Sequence, residues 1–181
     1  NPDFVHRAIE RLTEREIVIM QSLERQGGLT LGNRNHYAGS GGTSYTKQLP
    51  QPGFDPARVR TRDLWGFATA QIFSEVSPAM HEEFALRHEA PYLDLFGLNC
   101  YGCCEPLHRK LDAVYRHVPR LRRLSISAWA DVQVCAESLG QRCIFSWKPN
   151  PAVLAADRWD PEGVRASIRR FCEPTRPNVA E

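Results

Sequence analysis

The sequence has no uninterrupted apolar run near the roughly 18 residues that a membrane-spanning helix needs. Its first residues, Asn1-Pro2-Asp3, have no signal-peptide pattern, so we expect a cytoplasmic protein with no membrane partner. Net charge is also small, because 23 lysine and arginine residues face 21 acidic residues and leave a formal charge of +2. That balance produces no strong positive field, and nucleic acid is therefore not expected as a partner.

Three common functional motifs are missing as well. The glycine-rich stretch from Gly39 to Gly42 has neither the G-x-G-x-x-G spacing of a dinucleotide site nor the lysine of a phosphate-binding loop. There is no Gly-x-Ser-x-Gly turn of the kind that carries the nucleophile of α/β-hydrolases. Nucleotide binding and serine hydrolysis therefore receive no support.

The content of 42% apolar and 24% charged residues is typical of a globular domain with a buried core. Residues 3 to about 26 carry apolar positions close to a helical period, which predicts one or two helices. Residues 27–62 are rich in Gly, Asn, Ser, Thr and Pro and predict a long loop. We therefore divide the chain into an N-terminal helix and loop segment, residues 1–62, and a second part, residues 63–181.

Four short apolar runs follow from residue 63, and each precedes a polar turn and a helical segment, as in βα units. The strands are predicted at 64–68, 96–101, 121–127 and 143–147, with helices near 78–96, 107–117, 131–140 and 161–171. This order predicts the α/β class with a parallel sheet.

A closed barrel of eight βα units needs about 250 residues, so four units amount to half of one. Parallel strands with open edges would leave backbone groups unpaired. We therefore expect a fragment that is completed by a missing N-terminal half, or a chain that self-associates. The alternative is a small open α/β sheet.

The stretch Tyr101-Gly102-Cys103-Cys104-Glu105 follows the second predicted strand, where barrel enzymes place working residues. Cys103 and Cys104 offer soft thiolates and Glu105 a hard carboxylate, a set that suits zinc but is too compact to complete a tetrahedral site. The further ligand is left open among His36, Glu75 and His81. The alternative for both cysteines is packing as small apolar side chains.

Other side chains at the predicted strand ends are candidates for catalysis or substrate binding. We assign Tyr101, Glu105 and Lys148 as candidate catalytic residues; Lys148 would place a cation at the mouth of a barrel, or is a surface lysine in a proline-stiffened turn. The candidate substrate-binding residues are Trp65, Gln71, Ser127, Trp129, Trp147 and Asn150. Their tryptophans would wall a pocket for a small apolar molecule, with core packing as the alternative.

These stretches resemble the uroporphyrinogen decarboxylase superfamily, in particular its methyltransferase-like branch with the sequence Tyr-Gly-Cys-Cys-Glu-Pro-Leu. The resemblance covers roughly residues 62–172. It rests on Trp65-Gly66, Ser77-Pro78, the stretch from Tyr101 to Leu107, the stretch from Leu121 to Ser127 with Trp129, and the stretch from Ser146 to Pro151. It implies that the chain is the C-terminal part of a (β/α)8 barrel.

The resemblance further implies a zinc-dependent methyltransferase that moves a methyl group between a cobalamin cofactor on a partner corrinoid protein and a small-molecule substrate. In such relatives a His-x-Cys pair and a later cysteine hold the zinc. Here Tyr101 stands in the histidine's place and Cys103 matches the first cysteine, so Cys104 or Glu105 would replace missing ligands. The alternatives are a decarboxylase of the same superfamily and a noncatalytic fragment or binding module.

Overall fold

The computed structural model describes residues 1–34 and 36–180. Its helices are α1 (Pro2–Arg25), α2 (Pro78–His81), α3 (Arg87–Leu93), α4 (Leu111–His117), α5 (Val132–Leu139) and α6 (Pro161–Thr175). Its strands are β1 (Tyr37–Ala38), β2 (Gly42–Thr43), β3 (Trp65–Ala68), β4 (Leu98–Tyr101), β5 (Leu121–Ile126) and β6 (Ile144–Trp147). In these described ranges no helix combines the length and the apolar character needed to cross a membrane.

The four predicted strands form one parallel sheet, in the order β3-β4-β5-β6. Each strand therefore lies beside the next one along the chain, with helical segments between them. The α/β class and the four βα units are confirmed. The closed barrel and the division of the chain at residue 62 stay predictions.

Short-range signals place the helix ends close to their predicted positions. The Ser77 hydroxyl accepts a hydrogen bond from the Met80 N–H at the start of α2, and the Asp131 carboxylate accepts one from the Val134 N–H at the start of α5. Gly140 follows α5 with a positive φ of 48°. The helix predicted for residues 78–96 is instead α2 and α3 joined by a π-helical segment, Glu82–Leu86.

One face of the sheet carries the hydrophobic core. Because strand side chains alternate between faces, Leu124, Ile126 and Phe145 point to the same side, where they pack in one cluster with Leu107 and Leu139 from the helical side. At the amino end of the chain, α1 forms a single helix that packs on α3 and the π-helical segment. No residue of α1 is fully buried.

The second face of the sheet lies under the hairpin segment, which we define as residues 36–44 with β1 and β2, and carries Arg123 and Ser125 beside the apolar Phe67 and Cys100. The Ser40 hydroxyl lies 2.9 Å from the Ser125 hydroxyl. The guanidinium of Arg123 donates to the carbonyl oxygens of Ala38, at 3.4 Å, and Thr43. Part of the segment expected to be a long loop thus packs against the sheet through hydrogen bonds.

Close packing between β3 and β4 depends on Gly66. A Cβ atom added there would lie 2.2 Å from the Asn99 Oδ1. Asn99 cannot yield easily, because its amide donates to the carbonyl oxygens of Leu93, at 3.0 Å, and Pro119, at 2.6 Å.

We expect Gly66→Ala to lower the free energy of unfolding by about 1–3 kcal/mol, the usual cost of overpacking a core. Urea denaturation measures the change. Gly32→Ala is the matched control, since the atom nearest to its added Cβ is 3.8 Å away. Equal stability of Gly66→Ala and the unchanged chain would contradict this account.

Candidate functional site

The carboxyl ends of the four parallel strands meet at one side of the sheet, which we call the carboxyl edge. The β4 loop, residues 102–106, leaves this edge with Gly102 in the left-handed region, at φ 88°. A Cβ atom at Gly102 would lie 2.7 Å from the Leu107 side chain. Glycine therefore permits the turn that carries Cys103, Cys104 and Glu105 away from the strand.

Glu105 is fully buried and joins two loops of the carboxyl edge. Its Oε1 accepts hydrogen bonds from the Thr69 hydroxyl, at 2.9 Å, and from the Ala70 N–H, at 3.1 Å. Its Oε2 accepts one from the Cys103 N–H at 2.9 Å. Lys110 is a nearby buried cation, and its attraction to Glu105 opposes the lowering of the lysine pKa by burial. In this arrangement the carboxylate binds backbone and hydroxyl donors of the protein.

The thiols of Cys103 and Cys104 lie side by side, with their Sγ atoms 3.6 Å apart. Cys103 is partly exposed and Cys104 is exposed. The hydrogen bond with Cys103, followed by partial burial, raises the pKa of the Cys104 thiol, whereas the charge of Lys148 acts to lower it. This opposing effect indicates that Lys148, which follows β6, lies within electrostatic reach of the β4 loop.

Tyr101 lies on the helical face of the sheet, away from the exposed thiols. Its hydroxyl donates to the Glu89 carboxylate at 2.9 Å and lies 2.9 Å from the His81 Nε2. Burial is the largest cause of the raised pKa of Tyr101, and the charge of Glu89 adds to it. Tyr101 is therefore held as a neutral phenol in a polar chain of three residues, of which His81 and Tyr101 are buried and Glu89 is partly exposed.

This polar chain contains one residue that the sequence did not point to, Glu89. Burial raises the pKa of Glu89 to about 7 and lowers the pKa of His81 to about 4. His81 is neutral at pH 7, and its buried Nδ1 has no hydrogen-bond partner among the described residues. His81 and Glu89 are eight residues apart, a spacing typical of one helical face. This spacing is the sequence feature that could have pointed to Glu89.

The candidate substrate-binding residues lie at different places in the fold. Trp65 is at the amino end of β3, where its indole N–H donates to the Ser44 carbonyl at 2.9 Å. Gln71 is exposed in a short 3-10 helix, Gln71–Phe73, beyond β3. Ser127 is buried, and its hydroxyl accepts the Trp129 N–H at 3.1 Å. Trp129 follows β5 and has 67% of its surface exposed, so its ring is accessible to solvent at the carboxyl edge.

Trp147 and Asn150 line a common cavity of about 350 Å³ between the end of β6 and α6. The Trp147 ring stacks on Phe171, with centroids 4.3 Å apart and planes 7° from parallel. Asn150 accepts the Ala152 N–H at 3.0 Å. The cavity is mainly apolar, and Cys103 and Cys104 are not among its lining residues.

The thiol pair fits two positions of a zinc site. Two sulfur ligands at about 2.3 Å from a tetrahedral zinc lie about 3.8 Å apart, close to the observed 3.6 Å. In residues 1–34 and 36–180, however, no group of three His, Cys, Asp or Glu side chains is arranged to hold a metal ion. A zinc ion bound to Cys103 and Cys104 would therefore need its remaining ligands from elsewhere.

The chain matches no protein-family model, no curated protein and no solved structure in three separate comparisons. The resemblance to the uroporphyrinogen decarboxylase superfamily thus stays a prediction. So do the zinc and cobalamin cofactors.

We expect Glu105→Gln to lower the free energy of unfolding by at least about 2 kcal/mol. Glutamine keeps one acceptor oxygen but turns an NH₂ group toward a buried donor of Thr69, Ala70 or Cys103, so at least one hydrogen bond is lost. Urea denaturation measures the effect. Glu75→Gln, at an exposed position after β3, provides the control, and equal stability of the two variants would refute the role given to Glu105.

The raised pKa of Glu89 predicts a pH-dependent stability. Between its ordinary pKa of 4.5 and about 7, the folded chain keeps a proton that the unfolded chain has released. The contribution of Glu89 to the free energy of unfolding should therefore fall as pH rises through this window and level off above it, by on the order of 2 kcal/mol after allowance for partial exposure. The lowered pKa of His81 gives a contribution of the opposite sign between about pH 4 and 6.5, so the Glu89 contribution is measured by comparison with a variant.

Glu89→Gln should remove this part of the pH dependence, because glutamine can still accept the Tyr101 hydroxyl without carrying a titrating proton. Urea denaturation at several pH values from 4.5 to 8 provides the measurement. The exposed Glu14→Gln, which retains Glu89, should keep the slope of the unchanged chain. An unaltered slope in Glu89→Gln would show that another group is responsible.

Proposed function

We propose that this chain is part of a (β/α)8 barrel, and that the thiol pair at its carboxyl edge belongs to a methyltransferase site. The observation that carries the proposal is the pair of solvent-reachable sulfur atoms, 3.6 Å apart, at the end of a parallel strand. Enzymes of this architecture place their reacting groups at that end of the strands.

The sheet order supports the barrel. In a doubly wound fold the strand order reverses and the helices cover both faces, whereas here the order follows the sequence and the large apolar core lies on one face. Beyond α6, the Phe145 N–H donates to the Val179 carbonyl at 2.7 Å, and Ala180 forms a parallel bridge with Phe145. The C-terminal residues therefore lie beside β6, so that the order of neighbours in the sheet still follows the order in the sequence.

The contents of the carboxyl edge support thiol chemistry. Cys103 and Cys104 provide soft sulfur ligands or nucleophiles, and Lys148 brings a positive charge within electrostatic reach of them. Trp129 offers an exposed aromatic surface at the same edge for a small-molecule substrate. Glu105 serves this site as a positioning residue, because its bond to the Cys103 N–H fixes the loop that presents both sulfurs.

Cys103 and Cys104 would hold zinc through two of its positions. Zinc bound there would act as a Lewis acid that lowers the pKa of a substrate thiol or polarises the heteroatom of a methylated compound. The proposed methyl carrier is cobalamin on a partner corrinoid protein, as the resemblance implies. The missing barrel strands, from an N-terminal half or a second copy, would supply the remaining ligands.

Metal binding by the protein in the form that completes the barrel, with its N-terminal half or as an assembly of two copies, provides the first test. We expect cobalt(II), a spectroscopic substitute for zinc, to give sulfur-to-metal charge-transfer absorption, which zinc then displaces. Cys103→Ala should abolish this absorption, whereas Cys172→Ala, which removes an exposed cysteine on α6, should leave it unchanged. Circular dichroism confirms that each variant is folded.

The second test measures demethylation of methylcobalamin by absorbance, with a small thiol as acceptor. Zinc-dependent turnover that Cys103→Ala reduces at least about tenfold would support the proposal. A folded chain that binds neither metal through its thiols nor demethylates methylcobalamin would overturn it, as would decarboxylation of a porphyrinogen that Cys103→Ala does not affect.

A further inference from the structure

The further inference concerns the same two sulfur atoms and a chemistry that needs no metal and no methyl donor. Cys103 and Cys104 are neighbours in sequence, their Sγ atoms are in contact at 3.6 Å, and solvent reaches both residues. These are the conditions under which two thiols react with one another through a small oxidant.

The other cysteines offer a contrast. Burial raises the pKa of Cys135 to about 12 and that of Cys143 to about 11, so both remain protonated thiols in the core. Cys100 is also buried, and Cys172 is exposed on α6. The β4 loop therefore presents the two cysteines that are both accessible and in contact.

We propose that Cys103 and Cys104 form a redox-modification site that closes to a disulfide between neighbouring residues on reaction with a low-molecular-weight disulfide. One thiolate attacks the small disulfide, forms a mixed disulfide and releases one small thiol. The second cysteine then attacks the bonded protein sulfur and releases the other small thiol. The protein loses two protons and two electrons, and the small disulfide is reduced to two thiols.

The resulting bond is strained and therefore readily reduced. Neighbouring Cα atoms across a trans peptide bond are about 3.8 Å apart, which is shorter than the roughly 4.4–6.8 Å usual for disulfides. The loop also resists rearrangement, because the Cys103 N–H is bonded to Glu105 and the Gly102 carbonyl accepts the Ser40 hydroxyl at 3.2 Å. Strained, exposed disulfides are the reversible ones.

Formation of the disulfide would convert both thiols at the carboxyl edge in one step. The formation of the disulfide does not depend on the proposed methyltransferase activity; only its consequence for that activity rests on the proposed function. If the proposed function holds, oxidation to the disulfide would remove the metal-binding pair of thiols. Reduction of the disulfide by a small thiol would restore the pair.

The test treats the full chain with oxidised glutathione and measures intact mass, followed by peptide mapping after alkylation. We expect a mass decrease equal to two hydrogen atoms and a blocked peptide containing residues 103 and 104, both reversed by reduced glutathione. Cys104→Ser should stop at a stable mixed disulfide with glutathione on Cys103. Cys172→Ser should close the ring as the unchanged chain does.

Several results would overturn the inference: a stable glutathione adduct on residue 103 or 104 of the unchanged chain, a disulfide-linked dimer through either residue, or no reaction at the pair. The outcome is separate from that of the metal test. Ring closure without metal binding would leave this inference standing while the proposed function falls, and metal binding without ring closure would do the opposite.

Discussion

The carboxyl edge depends on one buried carboxylate. Glu105 accepts three hydrogen bonds, two from the residues that follow β3 and one from the loop that follows β4. A buried carboxylate is costly unless donors surround it, so these bonds both permit its burial and fix the two loops relative to each other. The position of the sulfur pair follows from this attachment, since the Cys103 backbone is one of the three donors.

The strand and helix positions could be predicted because their signals are local. Apolar runs separated by polar turns marked the four βα units, and Ser77 and Gly140 marked helix ends where the structure has them. Local signals could not predict which face of the sheet the Tyr101 side chain occupies. All four residues of β4 are buried, so no alternation of polar and apolar residues indicates which face each side chain occupies.

Glu105 shows the same limit at the site itself. Beside two cysteines in the sequence, a carboxylate is a reasonable candidate for a metal ligand, and this remains a prediction. Its observed partners, Thr69 and Ala70, lie more than thirty positions earlier and become neighbours only when β3 and β4 pair. A contact of this kind depends on tertiary structure, and no periodicity within either segment encodes it.

The contacts of the hairpin segment with the sheet have an energetic consequence. They include a pair of hydroxyls at Ser40 and Ser125, two carbonyl groups bonded to Arg123, and the Trp65 indole bonded to Ser44. Gly39 also lies close to Phe67 and Cys100. Each bond between neutral groups contributes roughly 0.5–1.5 kcal/mol net, and each bond from the Arg123 guanidinium roughly 1.5–3 kcal/mol, because water replaces these bonds when the surfaces separate. Detaching the hairpin segment would therefore expose polar groups that water can hydrogen-bond, together with the apolar side chains of Phe67 and Cys100 beneath Gly39.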